Sequence, residues 1–177
     1  MALLAESLVE EWLNRQNFFT IRGVKHGIDE IDLLAIKASA PVDGWHVEVQ
    51  VSFRPVGYIA KLSNAMRQEL KRAPTSAMRR TPEQIKECAR DWVEAKFRSK
   101  REVRDDLWPG VAWSFHLVHG EVRDEAELSA FKDEGVKCHL LTDLLDQLSK
   151  RGTFSGSAGG DLAEIVHYYQ TTKNRLS

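Results

Sequence analysis

The stretch WHVEVQVS, residues 45–52, has the alternation of a β-strand with two different faces. Valines occupy positions 47, 49 and 51, while His46, Glu48, Gln50 and Ser52 fall on the opposite side. A half-buried strand commonly presents such a polar row to water. The row alone therefore leaves two interpretations open, which are a solvated face and a set of groups directed at a substrate.

The segment before this strand carries acids within an apolar sequence. IDEIDLLAIK, residues 28–37, predicts a second strand with Glu30 and Asp32 on one face. A carboxylate in such a strand is costly unless it is paired or bound to a metal. Because the intervening turn is short, the two strands are expected to be neighbours, with Asp32 and Glu48 within reach of one cation. Two carboxylates with carbonyl and water oxygens suit Mg²⁺, and such a site suits attack on a phosphodiester.

Helices and further strands are predicted around this pair. The predicted helices cover 2–15, 58–73, 82–101, 124–134, 142–150 and a last segment from Asp161, with Thr81-Pro82-Glu83 as a helix start. The other predicted strands cover 17–23, 111–118 and 136–141, and GTFSGSAGG (152–160) is predicted as a flexible loop. This order predicts an α/β fold with a mixed central β-sheet flanked by helices, as one domain over residues 1–177.

The composition limits the class of protein. With 42% hydrophobic and 29% charged residues, the chain is typical of a soluble globular protein. No apolar run approaches the roughly 20 residues of a membrane span, and MALLAESLVEEWL lacks the basic start of a signal peptide. Cys88 and Cys138 form no disulfide or zinc pattern. We therefore expect a cytoplasmic location and no membrane partner.

The net charge of −1 conceals a basic middle. Between Lys61 and Arg104, 13 Lys+Arg stand against 6 Asp+Glu, a net of +7, while the remaining 12 against 20 give −8. We interpret residues 62–105 as a basic helical insertion within the domain. This segment could be a charged helix surface with i,i+4 pairs, or it could neutralise nucleic-acid phosphates through Arg67, Lys71, Arg72, Arg79 and Arg80.

The acids occur in an order that resembles a known family. Glu6 in AESLVEEWL, Asp32 in DEIDLLAIK and Glu48-Val49-Gln50 in HVEVQVS are similar to the motif of the PD-(D/E)XK, or restriction-endonuclease-like, nuclease superfamily. The pattern is especially similar to the branch with archaeal Holliday-junction resolvases and small bacterial nuclease-like proteins. The resemblance covers residues 2–73 and implies a restriction-endonuclease-like core.

The resemblance also implies an activity and a set of site residues. It implies a Mg²⁺- or Mn²⁺-dependent nuclease acting on phosphodiester bonds in DNA, an endonuclease rather than an exonuclease, and a homodimer that cuts two strands. Asp32 and Glu48 would hold the metal, with the carbonyl of Val49 as a further ligand. Gln50 would orient the attacking water, and Glu6 would bind a second metal or a water ligand of the first. Glu10, one turn further along the helix, is the rival for the role of Glu6.

Gln50 departs from the family pattern, which has lysine at this position. Glutamine can orient water by hydrogen bonds but brings no positive charge. Lys37, Arg54, Lys61 and His46 are candidates for that charge, although the pattern favours a solvent-facing His46.

Two other interpretations stay open, and Gln50 is the feature that favours the first of them. In the first, the chain is a catalytically inactive nuclease-fold subunit that binds nucleic acid or a partner protein in a defence, repair or mobile-element system. In the second, it is an unrelated α/β interaction domain whose acids lie on the surface.

Overall fold

The computed structural model describes residues 2–27, 29–39, 41–52, 54–76, 78–150 and 158–176. The helices are α1 (Ala2–Asn14), α2 (Asn64–Leu70), α3 (Pro82–Lys96), α4 (Arg101–Leu107), α5 (Glu125–Asp133), α6 (Leu141–Lys150) and α7 (Ala158–Leu176), with a 3₁₀ turn at Arg98–Lys100. The strands are β1 (Phe19–His26), β2 (Asp29–Lys37), β3 (Asp43–Gln50), β4 (Trp113–His119) and β5 (Val136–Leu140).

The five strands form one mixed sheet in the order β1-β2-β3-β4-β5. The first three are joined as an antiparallel meander, whereas β3–β4 and β4–β5 are parallel. Leu33 pairs with Val47 and Leu34 with His46, so alternate residues of β2 and β3 share each face. The predicted α/β fold with a mixed sheet is confirmed, and so is the predicted meander.

Helices cover both faces of this sheet. On one face, α1 and α6 bury Val47, Val49 and Val118 together with apolar residues of their own, and α7 packs against both helices. On the other face, α3, α5 and the segment 58–62 enclose a second cluster that includes Phe97, Leu117 and Phe131. Glu48 is therefore directed into the second layer, under α3, rather than toward water.

Helix α3 begins where the sequence predicts. The Thr81 Oγ1 accepts a hydrogen bond from the Gln84 N–H at 3.3 Å, and the Gln84 Oε1 accepts from the Thr81 N–H at 3.0 Å. This capping box, with proline at the first helical position, fixes the start of α3. The start of α3 is relevant to the site because the last residue of this helix is Lys96.

Several predicted bounds are wrong. Within 58–73 only Asn64–Leu70 is helical: Ser63 caps its start, where the Ser63 Oγ accepts from the Met66 N–H at 3.2 Å, and the Ile59 and Ala60 N–H groups before it donate to the Glu127 carboxylate. The predicted helix 82–101 ends at Lys96 and is followed by the 3₁₀ turn and α4. Most of the predicted loop 152–160 lies outside the described residues, whereas residues 158–160 already belong to α7.

Within the described ranges, no helix combines the length and the apolar character that crossing a membrane requires.

Candidate functional site

An open groove of about 280 Å³ lies where α1, β2 and the end of β3 meet. We call it the acidic groove. It is lined by Glu6 from α1, Asp32 from β2 and Val49 and Gln50 from β3, with Ser52 and Tyr58 from the segment that follows. The structure therefore brings together three of the four candidate catalytic residues from three separate elements. Glu48, the fourth, is fully buried and does not line the groove.

Asp32 is fixed in place by the backbone of the neighbouring strand. The pairing of β2 with β3 reaches Leu33 and Val47. Past that pair, the Val49 N–H donates to the Asp32 Oδ2 at 2.7 Å. Burial, and then the negative charge of Glu48, raise the pKa of Asp32 from 3.8 to about 6, although the Val49 hydrogen bond opposes that shift. A bound cation would therefore stabilise the ionised form of the Asp32 carboxylate.

Glu6, rather than Glu10, is the helix acid at the groove. Glu6 is buried, and its pKa is raised by burial and by the charge of Asp32. The carboxylate of Glu10 instead contacts the Thr20 hydroxyl at 3.3 Å and the Arg22 guanidinium at 3.4 Å on strand β1. Glu10 is thus bound to side chains of β1, whereas Glu6 lies close enough to Asp32 for the charge of Asp32 to raise the pKa of Glu6.

Glu48 is fully buried and ion-paired. The Lys96 Nζ lies 2.7 Å from Glu48 Oε2, and the Lys100 Nζ lies 3.5 Å from Glu48 Oε1. Burial raises the pKa of Glu48, and the two lysines oppose that rise. Lys100 is further anchored because its ammonium donates to the backbone carbonyl of Glu30. Glu48 therefore holds the cations of the 3₁₀ turn and the end of α3 against the sheet.

The prediction that His46 faces solvent is wrong. His46 on β3 is fully buried under the segment that follows α3. Its ring packs edge-on against Phe97 of that segment. The Arg104 Nη1 lies 2.9 Å from His46 Nδ1, and because arginine can only donate, Nδ1 is the acceptor. Nε2 then carries the proton, 3.2 Å from Glu48 Oε1. Burial and Arg104 hold the pKa of His46 well below its ordinary value, so this neutral ring is not a source of positive charge.

Lys96, which lies near Gln50, comes from a part of the chain that no sequence motif singles out. Lys96 and Gln50 line a second cavity of about 500 Å³, which we call the lysine pocket, together with Lys61 and Trp92. It meets the acidic groove at Gln50 and Ile59. Of the predicted cation candidates, Lys61 reaches this pocket, whereas Lys37 lies over the Phe18 ring, 5.5 Å from its centre. The only local signal for Lys96 and Lys100 is their one-turn spacing around the apolar Phe97.

Four of the five predicted phosphate contacts are exposed, namely Arg67, Lys71, Arg72 and Arg79. Arg80 is different, because its side chain is buried beside Tyr58 and Glu127. The exposed four remain candidates for a nucleic-acid surface, whereas the Arg80 side chain is not exposed beside them.

The oxygen groups at the acidic groove fit a hard cation that keeps several waters. Asp32 and Glu6 supply carboxylates, and Gln50 and Val49 supply amide oxygens. Among the described residues, no three Asp, Glu, His or Cys side chains are grouped closely enough to hold an ion by themselves. The donor set therefore suits Mg²⁺ or Mn²⁺ bound by one or two carboxylates rather than a fully protein-ligated metal such as structural zinc.

The comparisons with known proteins bear on the fold alone. The sequence matches no family model and no curated protein. A solved structure that it resembles is the crystal structure of a protein of unknown function, AF1548, with a TM-score of 0.52 and 14% sequence identity. The match covers 83% of this chain and 66% of that one. The arrangement of helices around the sheet is thus shared with a known protein, and no activity follows from it.

Proposed function

We propose that the protein is a Mg²⁺-dependent nuclease that hydrolyses phosphodiester bonds in DNA, built on a restriction-endonuclease-like core. The observation that carries this proposal is the convergence of Glu6, Asp32 and Gln50 from three elements on one open groove, with the charge of buried Glu48 acting on Asp32. Separate elements that direct polar groups into one cavity, with a strongly shifted pKa among them, are typical of an active site.

The electrostatics of Asp32 support a cation in this groove. Ionised Asp32 is disfavoured by burial and by Glu48, and a divalent ion would relieve both effects. Asp32 and the carbonyl of Val49 would hold the ion, with Glu6 beside them, and Glu48, which does not line the groove, would join them where the ion displaces Lys96. When bound, the ion would polarise the phosphate and make a water molecule a better nucleophile.

The position of Lys96 supports the proposed nuclease activity in spite of the glutamine at position 50. Gln50 can orient water through its amide, and Lys96, which lines the same pocket, carries the positive charge that glutamine lacks. Because Lys96 now neutralises Glu48, it would compete with a metal ion for that carboxylate. An ion held by Glu48 would take over the charge balance of that carboxylate, and the Lys96 ammonium would then be able to approach a phosphate.

The second candidate function is a non-catalytic nuclease-fold subunit that binds nucleic acid or a partner protein. One observation favours it: the Glu48 carboxylate is fully buried, and Lys96 and Lys100 already balance its charge beside His46. In this case the cluster is a structural ion network, and the exposed arginines act without cleavage.

Cleavage assays distinguish the two functions. The purified protein is incubated with Mg²⁺ or Mn²⁺ and a panel of supercoiled, linear, single-stranded and branched DNA, with RNA alongside. The proposed nuclease cuts at least one DNA substrate, loses this activity in Asp32→Asn and Glu48→Gln, and keeps it in Asp43→Asn. Asp43 is the matched control because it is an exposed acid at the far end of β3. Binding without cleavage of any substrate would establish the second function instead.

A further inference from the structure

The lysine pocket is larger than the acidic groove, and the proposed function uses only its Gln50 and Lys96. Its volume of about 500 Å³ is typical of pockets that take small organic groups. The two cavities are neighbours, because Gln50 and Ile59 line both of them. A ligand that extends from the acidic groove past Gln50 therefore enters the lysine pocket.

Trp92 on α3 gives the lysine pocket an aromatic wall. Its side chain lines the pocket and is half-buried. The centre of its ring lies 5.7 Å from that of Phe97 and 5.0 Å from that of Phe131, both at steep interplanar angles. Because both phenylalanines are fully buried, these contacts fix the indole to the core. A fixed aromatic ring that also borders a cavity is a surface on which a nucleobase can stack.

The rest of the lining combines apolar surface with groups that form directional hydrogen bonds. Leu62 and Ala95 contribute the apolar part. Gln50 and Asn64 carry side-chain amides, which both donate and accept, and Asp91 adds a carboxylate that accepts. The edge of a nucleobase presents donors and acceptors side by side, and amide and carboxylate side chains are the groups that pair with them. The lining therefore suits a base better than a purely apolar ligand.

The charges of the lining favour a nucleotide over an isolated phosphate. Lys61 and Lys96 are cations of the lining, whereas Asp91 is an anion. A phosphate alone would be attracted by the lysines and repelled by Asp91, and it would make no use of the Trp92 ring. A nucleotide uses both kinds of group, because its base can stack on Trp92 while the exposed Lys61 neutralises its phosphate.

We propose that the lysine pocket binds an unpaired nucleobase, which belongs to the nucleotide next to the phosphate in the acidic groove. This assignment rests on the proposed function and deepens it, because it names the substrate class as DNA with an unpaired nucleotide at the cleavage position. A base within a continuous duplex is paired and stacked, and it reaches such a pocket only after it has left the helix. Single strands, bulges and branch points are therefore preferred over continuous duplex.

Binding of DNA to the metal-free protein tests the subsite without cleavage. Fluorescence anisotropy compares a labelled duplex that carries one bulged nucleotide with the same duplex in which the bulged position is abasic, so that the backbone charge is unchanged. We expect the wild type to bind the duplex with the base about tenfold more tightly, as base stacking on an aromatic ring implies. Trp92→Leu should lose this difference, and Trp92→Phe should keep most of it. Trp108→Leu is the matched control, because Trp108 packs on Trp113 at the opposite end of β4.

Two further variants keep the test decisive. If Trp92→Leu does not fold, Ala95→Leu narrows the pocket from an exposed position of α3, and it should also reduce the difference between the two duplexes. Asp32→Asn should keep the difference, so a failed nuclease assay and a failed subsite are distinguishable. Equal affinity of the wild type for both duplexes would overturn the subsite. A difference that persists unchanged in the pocket variants would overturn it as well.

Discussion

Lys96 on α3 and Glu48 on β3 are joined by an ion pair of 2.7 Å between Nζ and Oε2. Strand β3 itself carries an uncharged glutamine at position 50. The positive charge in this region comes instead from Lys96, on a helix that is distant in sequence. Lys96 is 31% exposed, whereas Glu48 is fully buried. The lysine can consequently move to a ligand at the surface, while the acid stays in place.

Replacing Lys96 tests this arrangement. We expect Lys96→Gln to lower the single-turnover cleavage rate about 100-fold, the size of effect seen when a group that stabilises transition-state charge is removed. Mn²⁺ affinity should rise, since the competing ammonium is gone. Rates come from quenched-flow assays and affinities from calorimetry, with Lys86→Gln as the control at an exposed position of the same helix. A lower rate with unchanged metal affinity would refute the competition between Lys96 and the ion.

Metal affinity should depend on the ionisation of Asp32. Burial and the charge of Glu48 raise the pKa of Asp32 to about 6, and a protonated carboxyl does not bind Mg²⁺ well. Below that pH each unit of acidification should weaken Mn²⁺ binding by about tenfold, and above it the affinity should level off. Calorimetric titration across this range measures the curve. Asp32→Asn should bind weakly and lose this pH dependence, and a flat profile for the wild type would contradict the assignment.

Asp32 should also make the protein less stable as pH rises. Its folded pKa of about 6 lies above the ordinary value of 3.8, so between these values the folded state holds a proton that the unfolded chain has lost. Stability therefore falls as pH rises through that window. We expect Asp32→Asn to be more stable than the wild type above pH 6 by on the order of 2 kcal/mol, with little difference near pH 4. Denaturant unfolding at both pH values checks this, and a difference independent of pH would count against it.

Glu48 should have the opposite effect on stability. Glu48→Gln leaves the Lys100 ammonium, which is only 6% exposed, without its buried counter-charge, so we expect a loss of about 3 kcal/mol. Lys96 is more exposed and can turn to water. The double variant Glu48→Gln/Lys100→Met should recover part of the loss, as measured by a double-mutant cycle in denaturant. Additive effects of the two changes would show that the pair is not coupled.

The exposed arginines should set the salt dependence of nucleic-acid binding. Arg72→Gln/Arg79→Gln is expected to reduce the slope of log K against log salt by roughly 2, about one for each phosphate that is no longer neutralised. Fluorescence anisotropy with labelled duplex at several salt concentrations gives the slope. Lys137→Gln, an exposed lysine on β5 outside the basic segment, is the control. An unchanged slope in the double arginine variant would remove these residues from the binding surface.

The sequence carries the meander and the shared face of Asp32 and Glu48 because both follow from local rules. A strand alternates with a period of two, and short turns join neighbours, so the positions of Asp32, Glu48 and Gln50 could be read from consecutive residues. Most of the groups that meet at the acidic groove could therefore be predicted before their distances were known.

The tertiary packing around those residues could not be predicted from such local rules. His46 was expected in water, yet Phe97 and Arg104, contributed by the chain after α3, enclose it. Lys96 likewise reaches Glu48 through tertiary packing that no local period encodes. The predicted helix 58–73 is shorter than expected for a similar reason, because Glu127 on α5 holds the backbone of Ile59 and Ala60, and α2 begins only after the Ser63 cap.

Cleavage of DNA in the acidic groove requires, in the proposed function, a metal ion held by Asp32. The single-turnover cleavage rate in Mn²⁺ is therefore decisive when it is measured side by side for the wild type, Asp32→Asn and Asp43→Asn. We predict metal-dependent cleavage by the wild type and Asp43→Asn, and none above background by Asp32→Asn, although that variant is folded and at least as stable. Equal cleavage by all three proteins, or none by any of them, would contradict the proposed function.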